Sequence, residues 1–93
     1  MTINLNEFEV IHILDRHRFE LDVNGEVAEL EYQPIKDTLV FTHTFVPSSL
    51  EGQGVGNKLV KTGLDYAHDN GMKIRSTCWF VSLYLKRHPE YLK

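Results

Sequence analysis

Thr38-Leu39-Val40-Phe41-Thr42-His43-Thr44-Phe45-Val46, then Pro47-Ser48-Ser49-Leu50, then Glu51-Gly52-Gln53-Gly54-Val55-Gly56, is a run that changes character abruptly. Its first part is rich in β-branched and aromatic residues and begins with apolar side chains on both faces, the pattern of a central strand. Pro47 to Ser49 ends that strand, and Gly52, Gly54 and Gly56 follow at alternate positions. From Val55 onward Leu59, Val60, Gly63, Leu64 and Ala67 recur at helical spacing, opposite Lys58, Lys61, Asp65, His68 and Asp69. The order is strand, glycine-rich loop, amphipathic helix, closed at Asn70-Gly71 by residues that tolerate the left-handed conformation.

Upstream, Phe19, Leu21 and Val23 alternate with Arg18, Glu20 and Asp22, and Ala28, Leu30 and Tyr32 alternate with Glu29 and Glu31. Asn24-Gly25 between them predicts a tight β-hairpin over residues 18 to 33. Pro34, with Lys36-Asp37, marks the next turn. Phe8 to Leu14 reads as either a further strand or an extended arm. Downstream, Met72 to Thr77 predicts a short strand and Val81 to Arg87 a second helix, with Lys86, Arg87 and His88 at its negative end and Pro89 stopping it. The expectation is one α/β domain spanning residues 1–93, with a mainly antiparallel sheet of four to five strands and two helices. The main helix crosses the sheet through Leu59, Val60, Gly63 and Leu64.

Composition narrows the function classes. A chain of 93 residues buries roughly 60 to 65% of its unfolded surface, enough for one modest core and a shallow or shared site. Ten Lys plus Arg against 13 Asp plus Glu give a net charge of -3, which argues against nucleic acid as a partner. An RNA-binding α/β domain would need a basic aromatic surface on its strands, and these strands lack one. Cys78, the single cysteine, excludes an internal disulfide and a multi-cysteine zinc cage, so no metal site is expected. A reducing, cytoplasmic setting fits it, and no apolar run approaches the roughly 18 residues of a membrane span.

Strand, glycine loop and helix in that order are suited to anion binding, because the first helical turn offers unpaired N–H groups at a positive dipole end. No Lys-Ser or Lys-Thr follows Gly56, which excludes a Walker A loop, and Asn57 stands where a dinucleotide fingerprint has its third glycine. The competing reading is that the three glycines only make a tight strand-to-helix connection.

Five segments in order, Phe41 to Pro47, Gly52-Gln53-Gly54-Val55-Gly56, Leu64-Asp65-Tyr66-Ala67, Cys78 and Arg87-His88-Pro89-Glu90-Tyr91, resemble the small GNAT-type N-acetyltransferase domains. The likeness covers about residues 18 to 91. Gly54 and Gly56 match the two small positions of that family's cofactor loop, whereas Glu51 departs from its Arg or Gln. The resemblance implies acetyl-CoA or CoA as ligand, with the pantetheine arm along Phe45 and Val46 as an added strand. It implies that the N–H groups of Gln53, Gly54, Val55, Gly56 and Asn57 take the pyrophosphate and that Lys58 or Lys61 meets the nucleotide phosphate. A solvated helix face is the competing reading for both lysines.

Acetyl transfer to an amine needs a neutral nucleophile, a polarised thioester and a proton for the leaving thiolate. His43 is the candidate base, or else a sheet histidine bonded to a neighbouring Thr. Cys78 is a candidate nucleophile, or else a small buried hydrophobe. Tyr84 stands in the helix where GNAT enzymes carry a Tyr that protonates the thiolate, or else it is core. Direct transfer is preferred over an acyl-enzyme. The acceptor is an amine on a small molecule or a protein tail, since the helices that wall the acceptor site in longer members are missing. The alternative is a catalytically inert CoA-binding or protein-interaction module.

Overall fold

The computed structural model describes residues 3–92. Five strands, β1 (Ile11–Ile13), β2 (Arg18–Val23), β3 (Glu26–Ile35), β4 (Thr38–Phe45) and β5 (Lys73–Ser76), form one sheet in sequential order. Every neighbouring pair is antiparallel except β4 and β5, which run parallel because α1 (Val55–Asp69) carries the chain back between them. The second helix, α2 (Trp79–Arg87), follows β5 directly. The expected α/β class, mainly antiparallel sheet and two helices are all present.

The β2–β3 hairpin turns through Asn24 at φ 54° and Gly25 at φ 92°, as the dipeptide predicts. Asp22 tightens it by accepting the Gly25 N–H at 2.8 Å. The weakly specified Phe8–Leu14 segment supplies the three-residue edge strand β1. Two boundaries differ from the sequence reading. The strand β3 does not end before Pro34 but continues to Ile35, with Pro34 paired opposite Leu39. The Tyr32 N–H points toward the β2 side, where it meets the His17 carbonyl at 3.0 Å. Two residues on, the Pro34 nitrogen faces that same side beyond the start of β2, where no ladder bond is required. The second helix starts at Trp79 rather than Val81, with Cys78 at its N-cap position and the Cys78 N–H held by Ser76 Oγ at 3.2 Å.

Alternation puts Phe19, Leu21, Leu30, Tyr32, Leu39, Phe41 and Ile74 on one face, where all are buried against the α1 residues Leu59, Val60, Leu64 and Ala67. Full burial of each such large side chain contributes about 2 kcal/mol. Both helices lie on this face, since Phe80 of α2 packs at Gly56 of α1. The opposite face, with Arg18, Glu20, Glu29 and Glu31, has no buried residue.

At the β1 edge, His12 stacks on Phe19 with centroids 4.1 Å apart, meets Tyr66 edge-on, and bonds the Tyr32 hydroxyl through Nε2 at 2.6 Å. Burial holds its pKa below the ordinary 6.5. The unfolded chain therefore takes up this proton first. The stability His12 contributes is complete above pH 6.5 and is lost as the pH falls through 6.5 and then through the lower folded value. Urea unfolding at about pH 7.5 and about pH 5 should show a smaller loss of stability for His12→Gln than for wild type; equal losses would remove His12 from the account.

Candidate functional site

A bulge and an early strand end together make the site. Glu31 pairs with His43 and Tyr32 with Phe41, so Thr42 is an extra residue in β4. On the other side, parallel pairing with β5 ends at Phe41–Ser76, followed by one last bond from the Thr77 N–H to the Phe41 carbonyl at 2.9 Å. Thr42 to Phe45 continue with no β5 partner. The two strands diverge, and a cleft of about 930 Å³ opens between them, roofed by the glycine loop and the start of α2. That volume is within the roughly 300–1,000 Å³ of sites that hold small ligands.

His43, Phe45, Val46, Gly54, Val55, Gly56, Asn57 and Cys78 all line this cleft. Thr44, Thr77, Trp79, Phe80, Glu51 and Arg87 join them, and Arg87 is the one permanently cationic side chain of the lining. Among the described residues, no acceptor meets the main-chain N–H of Gly54, Val55, Gly56 or Asn57, and no side chain caps α1. The first helical bond closes only at Lys58, whose N–H meets the Gly54 carbonyl at 3.0 Å. The residues that carry these open donors at the positive helix end all line the cleft, which suits an anion.

Two of the loop glycines answer to the protein's own geometry. Gly54 has φ 84°, a left-handed value that turns the loop into the helix. Gly56 provides room within the protein: a β-carbon there would lie 2.9 Å from Cζ of Phe80.

Three sequence-expected residues stand elsewhere. Lys58 does not line the cleft; its ammonium donates to the carbonyls of Leu5 at 2.6 Å and Phe8 at 2.7 Å, so it is spent on the N-terminal arm. Gln53 is also outside the lining, with its side-chain amide bonded to Ile3 and Ser49. Tyr84 is excluded from the cleft too. It stacks on His88 at 4.4 Å, and burial raises its pKa.

Cys78 caps α2 and is 8% exposed, with Sγ 3.5 Å from the Thr44 hydroxyl. Its main chain is held at both groups: the N–H donates to Ser76 Oγ at 3.2 Å, and the carbonyl accepts from Ser76 Oγ and from the Ser82 N–H, each at 2.9 Å. His43 is exposed on β4. Sequence reasoning missed Trp79 and Arg87 as cleft residues. Arg87 was read as a helix-end charge, and only the tertiary position of α2 brings it to the cleft.

Residues 18–93 match the family model for GCN5-related N-acetyl-transferase, and the chain belongs to that family. It is 33% identical over 89 residues to Protein NATD1 of Mus musculus, covering 90% of this chain and 81% of that protein. Protein NATD1 of Xenopus tropicalis is 31% identical over 93 residues, covering 95% and 85%. A GCN5-like protein of Staphylococcus aureus, solved by NMR in solution, superposes with a TM-score of 0.70 at 30% identity, covering 89% of this chain and 82% of the other. Among the described residues no helix is long and apolar enough to cross a membrane.

Proposed function

We propose that the chain is an acetyl-CoA-dependent N-acetyltransferase acting by direct transfer to an amine on a small molecule or a protein tail. The observation that carries this is the row of unpaired N–H groups from Gly54 to Asn57, opening into the cleft between β4 and β5. These donors bind the diphosphate, with Arg87 beside them as counter-charge. The unpaired main-chain groups of Thr42 to Phe45 receive the pantetheine amides as a partner strand would. The bound cofactor supplies the activated acetyl thioester. His43 takes the proton of the incoming ammonium, directly or through water; the nitrogen then bonds the acetyl carbon as the carbon–sulfur bond breaks, and solvent at the open cleft supplies the proton to the departing thiolate.

Calorimetry with CoA and acetyl-CoA at up to millimolar ligand tests the reading; no binding would remove it. Arg87→Glu should raise the CoA Kd about tenfold at low salt and less at high salt, because screening weakens the lost contact. An unchanged Kd would take Arg87 out of the site.

The displacement of Tyr84 from the cleft favours a second reading, a CoA-binding module without catalysis. Acetylated product from a lysine peptide library excludes it.

A further inference from the structure

The N-terminal arm is fastened to the turn that opens α1. The Ile3 N–H donates to Gln53 Oε1 at 3.1 Å, and Leu5 lies close enough that a β-carbon on Gly54 would meet its Cδ1 at 3.5 Å. Lys58 Nζ spans Leu5 and Phe8, donating to both carbonyls. Those two carbonyls flank a tight 3-10 turn over Leu5–Glu7, which Asn4 caps by accepting the Asn6 N–H at 3.1 Å. The arm is in turn seated by Ile3, Leu5, Phe8 and Val10, which pack on the main core.

Two features of Lys58 combine here. Its main chain makes the first hydrogen bond of α1, directly after the four open donors, and its side chain is committed to a segment 50 and 53 residues away in sequence. Charge-assisted bonds to two carbonyls hold more firmly than neutral ones. A helix start with no side-chain cap has few other restraints. Donors aimed at a ligand are useful only if they are already in place when it arrives.

We infer that Lys58 is a positioning residue, which fixes the donor turn of α1 by clasping the N-terminal arm, and is not itself a ligand of the cofactor phosphates. The inference rests on the cofactor reading above for its effect on binding, while the clasp is measurable without any ligand. The test uses the full chain with Lys58→Met and Lys58→Arg, read by amide ¹⁵N order parameters of the free protein and by CoA calorimetry at low and high salt. For Lys58→Met, the order parameters of Leu5 to Phe8 and of Gly54 to Asn57 should fall together. Its CoA Kd should rise about tenfold with the same salt dependence as wild type, and Lys58→Arg should restore both. A raised Kd with weaker salt dependence and an undisturbed arm would make Lys58 a phosphate ligand and overturn the inference. So would a loosened arm with donors and affinity unchanged. If wild type binds no CoA, the functional reading fails, and the order parameters alone then decide whether the clasp holds the turn.

Discussion

Gly63→Val should lower the melting temperature by about 15 °C, corresponding to about 2 to 3 kcal/mol in a chain of this size. A β-carbon at this position would lie 2.8 Å from Leu30 Cδ2, 3.1 Å from Phe41 Cε1 and 3.4 Å from Phe19 Cε2. All three neighbours are buried, and they come from β3, β4 and β2, so no single adjustment relieves the overlap. Replacing a mid-helix glycine with valine recovers less than about 1 kcal/mol of helix propensity, which the crowding outweighs. Calorimetric or circular-dichroism melting reads the effect. An unchanged midpoint would mean that α1 does not sit on the sheet at this distance.

Gly54→Val should abolish CoA binding within the measurable range, a loss of about 100-fold or more, whereas Gly54→Asn should stay within about threefold of wild type. Space is not the issue, because the nearest atom to a β-carbon here is Leu5 Cδ1 at an ordinary 3.5 Å. The backbone is the issue: at φ 84° and ψ 8° a β-branched residue is strained, and relieving that strain swings the open donors away from the cleft. Asparagine tolerates the left-handed region and leaves the N–H in place. Calorimetry on both variants separates conformation from bulk, and equal losses in the two would contradict this explanation.

These glycines also show what sequence can and cannot convey. Alternation in β2 and β3 and the Asn24-Gly25 turn are local signals, and they set the hairpin correctly. The strand–loop–helix order was local as well, so the open donors at α1 were legible. The reasons for Gly56 and Gly63 were not, since both answer to side chains far away in the chain, Phe80 in one case and Leu30, Phe41 and Phe19 in the other. Pro34 misled because its missing donor matters only where a partner strand lies on that side, and β2 has not yet begun there. Helical spacing put Lys58 on a solvent face without revealing the arm that covers it, and it left Tyr84 eligible for a cleft that α2 turns it away from. The start of α2 was hidden because Cys78, at its N-cap position, makes no side-chain capping bond and so leaves no start signal in the sequence.

Trp79 is the only tryptophan in the chain and stands 76% exposed at the rim of the cleft. Its indole is therefore already in contact with water in the native protein, so denaturation changes its surroundings little. Intrinsic fluorescence, normally a convenient gauge of unfolding, is close to blind to it in this fold, and a change in emission colour instead signals something settling against that one ring.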